Sequence, residues 1–119
     1  MDKDQEIKQA YEGMVASLGV PLTVVPLIIE LSKFMNDNHE VALFPEVRAE
    51  IADRLNIGPS RLTQLLKIME RGGLISPGKK IKLMYQLNEC ITPYERLIEK
   101  DRIRYNVDFA PDKIIAKFD

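Results

Sequence analysis

Two rhythms of apolar positions run along this chain, one of three to four residues and one of two, and they predict which segments are helices and which are strands. From residue 4 to 18 (DQEIKQAYEGMVASL), Ile7, Tyr11, Met14 and Leu18 recur at spacings of four, three and four, the mark of a helix with one apolar face. Gly19 and Pro21 end it. Thr23 is placed to cap a second helix running to about Met35, with Pro26 in its first turn, where a missing N–H does no harm. Val24, Val25, Leu27, Ile28, Ile29, Leu31, Phe34 and Met35 leave that helix apolar on nearly every side, so it is expected at the centre of the fold or in a dimer interface. The polar run Asn36 to Glu40 reads as a loop, and His39 within it as a solvated residue, since no carboxylate or nucleophile motif accompanies it.

The stretch from Val41 to Phe44 is short, apolar and suited to a strand, and it ends at Pro45, which fits the first position of a helix. From Pro45 to Leu55, Val47, Ile51, Ala52 and Leu55 keep helical spacing, while Arg48, Glu50, Asp53 and Arg54 point elsewhere. The small Ala52 allows a following helix to cross at close range. Asn56, Ile57 and Gly58 read as the turn, with Ile57 pinning it to the core and Gly58 supplying the capping geometry ahead of Pro59. In the next helix, Pro59 to Arg71, about 100° per residue places Leu62, Leu65, Leu66 and Met69 within one arc of roughly 100°. Ser60, Thr63, Gln64, Lys67 and Arg71 occupy the other side, with Arg61 and Ile68 on the boundary.

Gly72 and Gly73 terminate that helix and Leu74-Ile75 begins a strand. Ser76 to Lys80 is a turn exposing Lys79 and Lys80, after which Ile81, Leu83 and Tyr85 alternate with Lys82, Met84 and Gln86. This predicts a hairpin with a basic tip. Thr92-Pro93-Tyr94-Glu95 has the form of a capping box opening a further helix to about Tyr105, and the last stretch, with Val107, Phe109, Ile114, Ile115 and Phe118, is too apolar for a disordered tail. The expected organisation is one mainly α domain over residues 1–119: N-terminal helices in 1–36, a helix-turn-helix and hairpin in 41–88, and a C-terminal helix and tail in 92–119.

Composition narrows the class. At 119 residues, with 45% hydrophobic and 29% charged positions, the chain has the make-up of a single globular domain. The longest strongly apolar run, Val24 to Ile29, is far too short to span a bilayer, and the first residues are acidic and polar, unlike a secretory signal, so a cytoplasmic location without membrane attachment is expected. One cysteine, Cys90, and one histidine, His39, make neither a disulfide nor a metal-ligand set, and no cofactor is expected. The overall charge of −1 hides an uneven distribution. Residues 1–44 carry three Lys/Arg against seven Asp/Glu, residues 45–82 eight against four, and residues 83–119 six against seven. The cationic excess falls on the helix-turn-helix and hairpin.

That coincidence makes the candidate chemistry recognition, not catalysis. Ser60, Arg61, Thr63, Gln64, Lys67 and Arg71 are of the types that hydrogen-bond base edges and phosphates from a helix in the major groove. Lys79, Lys80 and Lys82 on the hairpin, and Arg48 on the preceding helix, are suited to phosphate contact. No P-loop, GxSxG, HExxH or dinucleotide fingerprint is present, and Glu46, Glu50 and Asp53 sit where a helix-turn-helix ordinarily carries solvated acids, so an enzyme is not expected.

The run EIADRLNIGPSRLTQLLKIMERGGLIS resembles the helix-turn-helix of the winged-helix superfamily, in particular its MarR-like members, over about a quarter of the chain. ITPYERLIEK is similar to the segment that leads from the wing into a dimerisation helix in those proteins, whereas the Asp-x-Arg element usual in their wings is absent from SPGKKIKLMYQLN. The arrangement also resembles the winged-helix domains of small plasmid or phage replication and copy-control proteins. The resemblance implies a winged helix-turn-helix that binds double-stranded DNA as a homodimer, a transcriptional regulator or replication protein. The first helix and the C-terminal segment are the candidate dimer surfaces. No small-molecule effector is indicated. The competing expectation is a protein-interaction module of the same shape, which the acidic N-terminal third would suit.

Overall fold

Asp2 starts the first helix: its carboxylate accepts the Gln5 N–H at 2.8 Å and satisfies one of the donors that a helix N-terminus leaves open. The computed structural model describes residues 2–78 and 81–119. Helix α1 spans Lys3–Ser17 and buries Ile7, Ala10, Tyr11, Met14 and Val15, so the apolar side read from the sequence faces inward. Helix α2, Val25–Phe34, lies at the centre, packed against α1 and against the elements that follow. Thr23 does not cap it. Thr23 is exposed within a single 3-10 turn, Leu22–Val24, and the Val24 and Val25 N–H groups that a cap would serve donate instead to the Pro21 and Leu22 carbonyls.

Strand β1, Glu40–Ala42, leads through Phe44 into helix α3, Pro45–Leu55, and a short turn separates α3 from helix α4, Pro59–Arg71. Strands β2, Ile75–Pro77, and β3, Met84–Leu87, complete a three-stranded antiparallel sheet in the order β1-β3-β2. Val41 and Pro77 both stand opposite Tyr85 in its register. The second hairpin strand therefore begins at Met84, not at Ile81. Leu83 has a positive φ of 70°, which breaks the alternation, and its carbonyl accepts the Leu43 N–H at 2.8 Å.

The C-terminal quarter departs most from expectation. Helix α5 is only Tyr94–Ile98, and no helix runs on to Tyr105. The capping box at Thr92 does not form, because the buried Tyr11 hydroxyl takes both backbone groups of that residue: it accepts the Thr92 N–H at 3.1 Å and donates to its carbonyl at 3.3 Å. The supposed tail is a hairpin, β4 Tyr105–Phe109 against β5 Ile114–Phe118. Tyr105, Val107 and Phe109 stand opposite Phe118, Ala116 and Ile114, so one face is apolar with a period of two. That face packs on α1, where the Phe118 ring meets the Tyr11 ring edge-on at 5.0 Å.

A single buried cluster runs from Ile7 to Ala116 and takes in every helix, with Leu27, Ile28 and Leu31 of α2 fully enclosed. No helix among the described residues is long and apolar enough to cross a membrane.

Candidate nucleic-acid interface

The turn between α3 and α4 is closed by Asn56, which takes the left-handed conformation (φ 54°, ψ 47°). An Asn side chain tolerates that region better than most. Gly58 is extended (φ −81°, ψ 167°) and is the N-cap of α4 ahead of Pro59, its carbonyl accepting the Leu62 N–H at 3.1 Å, while Asn56 caps the end of α3. Ile57 packs partly buried against the core, as its position predicted. Ala52 is buried at the crossing, and with Pro45, Ala49, Pro59 and Leu62 it lines a small apolar cleft between the two helices beside Arg48.

Helix α4 divides as its sequence divides. Leu62, Leu65, Leu66 and Met69 are buried, which fixes the rotation of the helix on the body. Ser60, Arg61, Thr63, Gln64, Lys67 and Arg71 are all exposed, and Ser60, Thr63, Gln64 and Lys67 border a shallow open depression along the helix. Two hydrogen bonds organise this surface. Arg61 Nη1 donates to Gln64 Oε1 at 3.1 Å, and Arg48 Nη2 reaches across from α3 to donate to Thr63 Oγ1 at 2.9 Å.

Lys3, Lys33, Arg54, Arg96 and Lys117 are all paired with carboxylates, Arg54 with both Glu50 at 2.9 Å and Glu30 at 3.5 Å. Glu50, one of three acids on α3, is thus part of a surface ion pair. Among the described residues Arg48, Arg61, Lys67, Arg71 and Lys82 form no salt bridge, and neither do Lys8, Arg102, Arg104 and Lys113 elsewhere.

Lys82 is exposed in the turn ahead of β3; Lys79 and Lys80 lie outside the described residues. The turn is joined to α4 by a short relay. Thr63 holds Arg48, the Arg48 N–H donates to the Phe44 carbonyl at 2.9 Å, and the neighbouring Leu43 N–H donates to the Leu83 carbonyl at 2.8 Å. Sequence periodicity could not show the Arg48–Thr63 link, because it joins residues of two helices. It also passed over the exposure of Phe44, Ile81 and Leu83.

Perturbed titratable groups lie elsewhere. Burial pushes the Cys90 thiol up to about 12, and a hydrogen bond to Asp4 holds the Tyr94 hydroxyl near the same value. Burial likewise raises Tyr11, and the Ile103 N–H, donated to Glu6, lowers that carboxyl. Cys90 is enclosed in the core and Tyr11 serves Thr92, so neither is presented as a nucleophile. Among the described residues no three His, Cys, Asp or Glu side chains come together as a metal site. The chain matches no protein-family model, no curated protein and no solved structure.

Proposed function

We propose that this chain is a winged helix-turn-helix that binds double-stranded DNA sequence-specifically as a homodimeric regulator. The observation that carries the reading is the exposed face of α4, a row of hydrogen-bonding and cationic side chains without a carboxylate partner, on a helix whose rotation is fixed by four buried residues. An α-helix about 10–12 Å across fits the B-DNA major groove, about 12 Å wide. In that groove Arg61 is suited to the O6/N7 edge of guanine and Gln64 to the N6/N7 edge of adenine, with Ser60 and Thr63 beside them. Lys67, Arg71 and Arg48 are suited to flanking phosphates, and Lys82 to the backbone beyond the wing.

One such unit covers one half-site, so a symmetric pair reading an inverted repeat follows from the geometry of duplex DNA. The apolar side of α1 is occupied inside the chain, which leaves the C-terminal hairpin as the favoured dimer surface: Phe109 and Ile114, paired at its tip, are 73% and 40% exposed.

Selection from a random duplex pool tests the reading. The expected result is an enriched inverted repeat, with Arg61→Ala and Gln64→Ala each costing about 1–3 kcal/mol and relaxing preference at one position per half-site. Retention on neither duplex DNA nor heparin, or Arg61→Ala and Gln64→Ala binding the selected site like the parent, refutes it.

A further inference from the structure

The chain has seven large hydrophobic side chains substantially exposed among the described residues; two of them, Ile81 at 56% and Leu83 at 38%, flank Lys82 in its turn, and Phe44 at 45% follows Leu43, whose N–H is bonded to the Leu83 carbonyl. The backbone beneath them is held. Gly78 N–H donates to the Met84 carbonyl at 2.6 Å, Met84 N–H donates back to the Ile81 carbonyl at 3.2 Å, and Leu83 is tied to Leu43. A Cβ on Gly78 would stand 2.6 Å from the Met84 carbonyl oxygen, so the two arms approach as closely as only glycine permits. Ile81 is exposed just ahead of a strand whose start is held by these bonds.

Charge decides what it is presented to. Residues 71–88 contain four Lys/Arg and no Asp or Glu, the longest acid-free stretch in a chain with 18 acids. A second copy of this turn would bring lysines against lysines. An anionic surface with an apolar interior is the complementary occupant, and the DNA minor groove is one: proteins that enter it combine cations with an apolar wedge between base steps. A hydrogen-bonded relay from Thr63 through Arg48 and Phe44 to Leu83 connects the turn to α4.

We infer that the Ile81–Leu83 turn is an apolar wedge for the minor groove of the duplex bound by α4, with Ile81 entering the base stack, Lys82 on the adjoining phosphate, and the DNA bent at that step. The inference rests on the DNA-binding reading above, and its test separates the two. A duplex of about three helical turns carrying the enriched sequence, labelled at both ends for energy transfer, reports binding and bending together. The parent protein is expected to shorten the end-to-end distance. Ile81→Ala is expected to bind roughly ten-fold more weakly, to leave the duplex straight, and to keep the parent's salt dependence, since no cation is removed. Ile81→Leu restores the bend. Lys82→Gln has the opposite signature, a salt slope shallower by about one with the bend retained.

A parent complex with straight DNA, or Ile81→Ala matching the parent in affinity and bend, overturns the wedge while leaving the reading of α4 intact. Loss of self-association in Ile81→Ala, with DNA bending unchanged, overturns it in favour of a protein-docking face. Failure of the parent to bind any duplex removes both readings and is seen before any variant is made.

Discussion

The hydrogen bond between Arg48 and Thr63 makes the functional reading quantitative. Arg48 is half-buried on α3, and one of its five N–H donors is spent on the Thr63 hydroxyl at 2.9 Å. Among the described residues Arg48 forms no salt bridge. If Arg48 grips a phosphate, Thr63 serves to orient it, and the two must be energetically coupled. Thr63→Val keeps the shape and β-branching of the side chain and removes only the acceptor. Its expected cost is that of one exposed hydrogen bond, about 0.5–1.5 kcal/mol, or roughly two- to ten-fold in affinity, with the salt slope unchanged. Arg48→Ala removes a charge and should flatten the slope by about one. The double variant should then bind no worse than Arg48→Ala to within about 0.5 kcal/mol, the limit of ordinary non-additivity. Titrations of labelled duplex at four salt concentrations measure all three terms, and urea unfolding controls for stability. The Arg48–Thr63 bond is already formed in the free protein, so Thr63→Val should also lower stability, by no more than about 1.5 kcal/mol, and the affinities are compared where each variant is folded. Additive losses in the cycle would refute the orienting role and assign Thr63 a contact of its own.

Three further outcomes bear on the scaffold. Tyr11→Phe keeps the ring against Phe118 but strips the Thr92 N–H and carbonyl of their partner, and should lower unfolding stability by about 1–3 kcal/mol in a urea titration. Gly13→Ala would set a Cβ 2.0 Å from the Tyr105 hydroxyl and 2.9 Å from its ring carbon; despite the better helix propensity of alanine, displacement of the ring should cost about 1–3 kcal/mol and raise hydrogen exchange in β4. Glu6 is lowered below its ordinary 4.5 by the Ile103 N–H, so the unfolded chain binds the proton more readily. Its contribution is complete above that ordinary value and is lost as pH falls through the folded value, and Glu6→Gln should flatten this part of the acid limb in pH-dependent unfolding.

Legibility from sequence followed the strength of the local pattern. Helix α4 was readable because its four buried residues fall on one arc and because Pro59 and Gly72 mark its ends. Helix α1 was readable on the same terms. The C-terminal hairpin was not, since Tyr105, Val107 and Phe109 alternate over only five residues and follow a Thr-Pro-x-Glu pattern that favours a helix locally. That local preference is met only by the short α5, Tyr94–Ile98, and the alternation that follows it forms the hairpin. At the candidate interface the exposed side chains of α4 were all foreseeable from the wheel. Their organisation was not: the Arg48–Thr63 bridge and the late start of β3 depend on how α3 and β1 are set down, which no periodicity encodes.

The packing also bears on how such a surface could keep its aim. Helix α4 is held at both ends by contacts outside its own apolar stripe. Near its start Thr63 is bridged to α3 through Arg48, and just past its end Gly72 lies so close to Val20 that a Cβ there would stand 2.6 Å from the valine methyl. Val20 follows α1, and α1 carries the C-terminal hairpin through Gly13, Tyr11 and their partners Tyr105 and Phe118. The orientation of α4 is thereby referred, through one continuous core, to the same helix that positions Phe109 and Ile114. In a dimer formed through the hairpin, the separation of the two reading helices would then be set by rigid packing and not by a linker. A half-site spacing that tolerated insertion of one or two base pairs without loss of affinity would be incompatible with that construction.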